Sequence, residues 1–154
     1  MKFTITKPNH YLKQTISIAI IVLLATVIDV MAAPDVTHLV NTFVGTAAGG
    51  NDFPGADMPS GMVQWSPDTT TGPGGYRWRD TVISRGFSFT HFSGRGCSAY
   101  QDFPFMPTIG SLFASPATNA TVYGSSFLHA NEFASPGYYS VRLDPSGIQA
   151  ELTV

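Results

Sequence analysis

The chain has 154 residues and a pI of about 6.0, with 8 Lys and Arg against 10 Asp and Glu, a length that fits one domain, or two small ones at most. All three lysines (Lys2, Lys7, Lys13) fall in the first thirteen residues, so from Ala33 onward five arginines face nine acids; this excludes a protein that tracks nucleic-acid phosphates through clustered cations. Only 12% of residues are charged while 15 are glycine and 11 proline, too apolar for disorder and too rich in turn formers for a helical bundle, which leaves an all-β or loop-rich domain.

The first element is an export signal. The three lysines precede an apolar run from Ile16 to Ile28, and small residues follow at Ala32 and Ala33, the layout of a signal peptide over residues 1–33. The run is shorter than the roughly 20 apolar residues of a permanent span, and Asp29 closes it. A secreted or periplasmic location is expected, with an uncleaved N-terminal anchor as the alternative and the only route to a membrane. Cys97 is the single cysteine, so no intrachain disulfide can form and stability must come from packing.

Short apolar stretches then alternate with Gly/Pro/Asp/Ser punctuation: Leu39–Val44, Met62–Ser66, Gly86–Phe92, Thr108–Phe113 and Tyr138–Leu143. Short strands separated by turn signals predict an antiparallel β-sandwich or barrel. The clearest unit is a C-terminal hairpin. Tyr139, Val141 and Leu143 alternate with polar residues, Asp144-Pro145-Ser146-Gly147 turns the chain, and Ile148, Ala150, Leu152 and Val154 alternate again, giving one buried face. The sequence stops inside this second strand, so the chain reads as part of a larger protein. Residues 34–154 are therefore expected to form a partial sandwich.

Several residues are candidates for chemistry. Asp68 and Asp102 sit in loops rich in Gly, Pro and aromatics, where site residues are commonly carried, although capping a turn is the commoner use of such an Asp. His91 ends a strand-like run and leads into Ser93, Gly94, Gly96 and Cys97, a loop where glycines allow close backbone approach; a histidine bonded to backbone in the interior is the competing reading. His38, His91 and His129 lack zinc-ligand spacing, and nothing beyond proximity makes Cys97 a nucleophile for His91. The Gly-rich segments 45–50 and 72–75 match neither phosphate-loop nor dinucleotide patterns. Tyr76 and Trp78 follow the second segment and are either a sugar-stacking platform or core aromatics that close a loop. Asn119-Ala120-Thr121 is a glycosylation sequon.

Taken in order, these segments resemble glycoside hydrolase family 92. The resemblance rests on Val40-Asn41-Thr42-Phe43-Val44-Gly45-Thr46, Phe53-Pro54-Gly55-Ala56, Pro59-Ser60-Gly61-Met62-Val63-Gln64-Trp65-Ser66-Pro67-Asp68, Gly86-Phe87-Ser88-Phe89-Thr90-His91-Phe92-Ser93-Gly94, Gly96-Cys97, Tyr100-Gln101-Asp102-Phe103-Pro104-Phe105-Met106-Pro107 and Ala134-Ser135-Pro136-Gly137-Tyr138-Tyr139. It implies a secreted, calcium-dependent exo-α-mannosidase that cleaves α-linked mannose from N-glycans or mannan with inversion. It also implies two domains, an N-terminal β-sandwich and a C-terminal helical (α/α) toroid that carries the acid, the base and the calcium ligands.

On that resemblance this chain is the sandwich alone. Its loops at Asp68, Trp78, His91, Ser93, Gly94, Gly96, Cys97 and Asp102 form one wall of the substrate pocket, and its partners are a mannose-containing glycan and the catalytic domain that would follow. The chain departs from the family pattern at Ser60, Phe89, Phe92, Arg95 and Gln101, the last replacing a usual glycine. A non-catalytic carbohydrate-binding module and an inactive remnant are the alternative readings.

Overall fold

The computed structural model describes residues 33–57, 63–94 and 101–154, nearly all within the unit Val36–Val154, one of two into which the chain divides. Residues 1–32, where the export signal is expected, and the residues Ser60, Met62, Arg95, Gly96 and Cys97 lie outside the described set. No helix among the described residues is long and apolar enough to cross a membrane.

Among the described residues the architecture is all-β, with a single 3-10 turn at Thr37–Leu39. Its strands are β1 (Ala56–Asp57), β2 (Gln64–Pro67), β3 (Val82–Ile83), β4 (Phe87–Ser88), β5 (Ser125–Ser135), β6 (Tyr138–Asp144) and β7 (Gln149–Thr153). They form a three-stranded sheet, β1-β2-β4, and a four-stranded sheet, β3-β5-β6-β7, with every pairing antiparallel. The first sheet packs on the second where β1 and β2 approach β6 and β7.

The hairpin follows from its alternation. Tyr139 opposes Leu152 and Val141 opposes Ala150, so the apolar side chains of both strands face inward with Leu143 and Phe127, each cross-strand pair adding a fraction of a kcal/mol. The Leu143 and Gly147 amides donate to the Ile148 and Leu143 carbonyls, each at 2.8 Å. Gly147 takes a φ of 74°, the left-handed conformation that glycine adopts without steric cost, and the Asp144–Pro145 peptide is cis.

Three predicted strands are corrected. Leu39–Val44 forms turns, because the Phe43 amide donates to Asn41 Oδ1 at 3.0 Å, an Asx turn that competes with extended backbone. Thr108–Phe113 forms no strand. The Tyr123 hydroxyl accepts from the Phe113 and Ala114 amides at 3.0 and 3.1 Å and donates to the Ala114 carbonyl at 2.8 Å, holding an irregular segment that leaves Leu112 and Phe113 exposed. Gly86–Phe92 contracts to the two residues of β4, bridged at Phe87 to Phe105.

The longest strand, β5, gives no clean alternation in sequence, and its pairing with β6 slips between Phe127 and Glu132: Phe127 faces Leu143 while Glu132 faces Val141. Residues three apart on a regular strand point to opposite faces. The irregularity places His129 and Glu132 side by side instead.

Candidate functional site

A cleft of about 380 Å³ opens between two loops, lined by Thr46, Ala47, Ala48, Gly49 and Asn51 on one side and Tyr76, Arg77, Trp78 and Arg79 on the other. The backbone ties the walls together, since the Trp78 amide donates to the Thr46 carbonyl at 3.0 Å. The two aromatics divide their roles. Tyr76 is fully buried, whereas Trp78 is 39% exposed. The Trp78 indole stacks on the His129 imidazole, with centroids 4.1 Å apart and planes inclined by 17°, and meets Phe43 edge-on at 5.1 Å.

Beneath this stack lies a carboxylate. Glu132 Oε2 accepts from His129 Nδ1 at 2.7 Å, and its Oε1 accepts from the hydroxyls of Tyr139 at 2.6 Å and Tyr76 at 2.9 Å. Burial first, and then the Glu132 charge, raise both phenols above the ordinary tyrosine value, so each remains a donor. Sequence reasoning passed over Glu132 and treated His129 only as a zinc candidate. The pair sits three residues apart on a strand, a spacing that carries no signal until the slip in β5 is known.

A second buried network supports the Gly72–Gly75 loop. The Asp68 and His91 side chains are both inaccessible to solvent. His91 Nδ1 lies 2.9 Å from the Gly74 carbonyl, and Nε2 lies 3.0 Å from Ser88 Oγ and 3.1 Å from the Ser66 carbonyl. Ser88 Oγ is also 2.8 Å from Asp68 Oδ1. His91 Nε2 and Asp68 Oδ1 are 3.5 Å apart, an ion-pair distance.

Burial nevertheless favours the neutral forms. It raises the Asp68 carboxyl to about 7 against the opposing pull of Ser88, Arg85 and Gln101, and it lowers His91 against its hydrogen bonds to Gly74, Ser66 and Ser88. In the neutral forms the Asp68 carboxyl donates to Ser88, Ser88 donates to Nε2 and Nδ1–H donates to Gly74, while the Ser66 carbonyl 3.1 Å from Nε2 receives no proton. In effect the pair holds one proton.

Gly75 packs directly on this network with a φ of 70°; a Cβ there would lie 2.6 Å from His91 Nδ1 and 2.8 Å from Gln101 Nε2. Gly75→Ala is therefore expected to cost about 2 kcal/mol through strain and overpacking, read as a lower urea midpoint at unchanged m-value.

Residues 39–154 match the glycosyl hydrolase family 92 N-terminal domain. The chain belongs to glycoside hydrolase family 92. An uncharacterized secreted glycosidase of Arthroderma benhamiae is 34% identical to it, over 78% of this chain and 16% of its own. A family GH92 alpha-mannosidase structure from Bacteroides thetaiotaomicron aligns with a TM-score of 0.69 at 40% identity, over 77% of this chain and 17% of that one. A family GH92 inverting mannosidase from the same organism aligns at 0.57 and 30% identity, over 80% and 17%. The chain thus spans about a sixth of the length of these relatives.

Within this family 92 domain the described sequence-derived site residues fall in four places. Trp78 lines the cleft, and Gly94 is joined to it by its amide, which donates to the Asn51 carbonyl at 3.1 Å. Asp68 and His91 do not line the cleft; they are buried behind its Gly-rich loop because their hydrogen bonds are made to the interior. Asp102 is exposed and bound reciprocally to Thr90, its carboxylate accepting at 2.9 Å and its amide donating at 3.0 Å. Ser93 borders a separate, shallower groove with Asp52 and Phe53.

Gln101, where the family resemblance leads one to expect glycine, adopts a φ of 83°. Its buried amide donates to the Thr70 carbonyl, which offsets the strain of a left-handed non-glycine residue. Gly96 and Cys97 fall outside the described residues.

Proposed function

We propose that this chain is the N-terminal domain of an exported, calcium-dependent exo-α-mannosidase that acts by inversion, and that its Trp78 cleft forms one wall of the mannose-binding pocket. The observation that carries the reading is the partly exposed indole of Trp78 in a cleft of about 380 Å³, a volume within the usual range for small-ligand pockets, in a domain of family 92. An aromatic face complements the C–H-rich face of a sugar ring. The secreted glycosidase among the relatives supports export, and the mannosidase structures support the substrate class.

Inverting hydrolysis needs an acid to protonate the leaving oxygen and a base to activate water. Among the described residues no carboxylate lines the cleft, and Asp68 and Glu132 are committed to interior hydrogen bonds. The described residues also bring together no group of three His, Cys, Asp or Glu side chains that could hold a metal ion. In this reading the acid, the base and the calcium ligands come from chain beyond the present one, and this domain binds and orients the sugar.

Titration of the chain with α-1,2-mannobiose tests the wall assignment. Trp78→Ala is expected to weaken binding at least about tenfold, the loss of a stacked aromatic contact. Binding unchanged in that variant would remove Trp78 from the pocket. Hydrolysis of an aryl α-mannoside by this chain, abolished by Asp102→Asn, would place the chemistry here and contradict the reading.

A further inference from the structure

The Trp78 ring is held by side chains from outside its own loop. Its indole stands on a loop that follows four residues from Gly72 to Gly75, three of them glycine, and it is 39% exposed. An aromatic so placed presents a defined face only if something stiff lies against the other one. That support comes from a different sheet element. The His129 imidazole, on β5, covers one indole face in a near-parallel stack at 4.1 Å, Phe43 meets the indole edge-on at 5.1 Å, and Trp78 stays partly exposed where it lines the cleft.

His129 is itself fixed on two sides. Its Nδ1 donates to Glu132 Oε2 at 2.7 Å, and the Phe127 ring meets it edge-on at 5.2 Å and 87°. Glu132, whose side chain is inaccessible to solvent, is pinned in turn by the hydroxyls of Tyr76 and Tyr139. The other imidazole nitrogen, Nε2, is buried and has no hydrogen-bond partner, so the ring serves here through its face and one donor.

We propose that His129, held by Glu132, is a positioning residue that orients the Trp78 indole and pre-sets it as a sugar-binding face. The inference rests on the mannose-pocket reading for its ligand. The positioning itself can be read without any ligand.

The experiment uses the full chain labelled with 5-fluorotryptophan. Its two tryptophans, Trp65 and Trp78, give two fluorine resonances, assigned through Trp78→Phe. Trp65, packed against Phe89 at 4.4 Å, reports whether the fold is intact. In His129→Ala the Trp78 resonance is expected to move toward its denatured-chain position while the Trp65 resonance stays in place, and mannobiose affinity is expected to fall about tenfold, as in Trp78→Ala.

His129→Phe keeps a stacking ring and loses nothing at the unpartnered Nε2 but gives up the Nδ1 donor to Glu132, so it is expected to hold the Trp78 shift and affinity between those of the parent and the alanine variant. His129→Gln keeps a donor for Glu132 but no ring, and is expected to behave like the alanine variant. A Trp78 resonance unmoved in His129→Ala overturns the inference, as does rescue by glutamine in place of phenylalanine. If instead the resonance moves as expected but Trp78→Ala binds mannobiose as the parent does, the positioning stands and the mannose-pocket reading fails.

Discussion

Asp68→Asn is expected to make the protein more stable, by an amount that grows with pH. The buried Asp68 carboxyl titrates near 7 in the folded state against 3.8 for an ordinary aspartate. The folded state therefore holds this proton more tightly than the unfolded chain. The stability it contributes is complete below about pH 4 and is lost as pH rises toward 7, by on the order of 4 kcal/mol for a shift of this size. His91 acts in the other direction: lowered by burial, it costs stability as pH falls below its unfolded value, where the unfolded chain takes up a proton that the folded state refuses.

In the parent the two effects largely cancel from pH 4 to 7, because folded and unfolded chains each hold one proton on the pair. Asparagine copies the protonated carboxyl, with an amide to donate toward Ser88, and cannot ionise. Urea melts of Asp68→Asn and the parent should thus be close at pH 4 and separate by up to about 4 kcal/mol at pH 8 in favour of the variant. A deficit for the variant at pH 8 would mean that the pair is held as carboxylate and imidazolium instead.

The second large effect is at Glu132. One carboxylate there accepts from two tyrosine hydroxyls and an imidazole N–H. Glu132→Ala leaves three donors facing a void in the interior, each costing about 1–3 kcal/mol when unsatisfied, so a loss of about 3–5 kcal/mol is expected even if water enters. Tyr139→Phe alone removes one donor and is expected to cost only about 1 kcal/mol. The diagnostic is the cycle: in the Glu132→Ala background, Tyr139→Phe should be neutral or stabilising, since it removes an orphan. Additive losses in urea denaturation would mean that Glu132 is not the shared acceptor.

The parts of the fold legible in sequence were those in which local pattern and tertiary packing agree. The alternation through Tyr139, Val141 and Leu143 and then Ala150 and Leu152 gave both strands and the inward face of the hairpin. Where a side chain competes with backbone extension, apolar content misled: Asn41 turns the Leu39–Val44 stretch, and the Tyr123 hydroxyl holds Phe113 and Ala114. At the site, the loop motifs marked Trp78 and His91, but spacing could not separate a side chain facing solvent from one facing inward. Asp68 and His91 face inward because Ser88 and the Gly74 carbonyl are there to meet them, contacts that span up to 20 residues of sequence. Glu132 was invisible for a different reason, since its neighbours depend on a slip in strand pairing.

That slip makes the segment from Phe127 to Glu132 one whose length matters more than its composition. Leu128, Ala130 and Asn131 make none of the contacts that orient Trp78, and Leu128 is exposed, so these positions can vary freely in side chain. Their number cannot. Removing one residue would give β5 a more regular ladder and a tidier alternation, yet it would swing either His129 or Glu132 to the opposite face of the sheet. In a lineage or an engineered library, this stretch would tolerate substitution while rejecting insertion and deletion, a signature visible only where gaps are counted separately from mismatches.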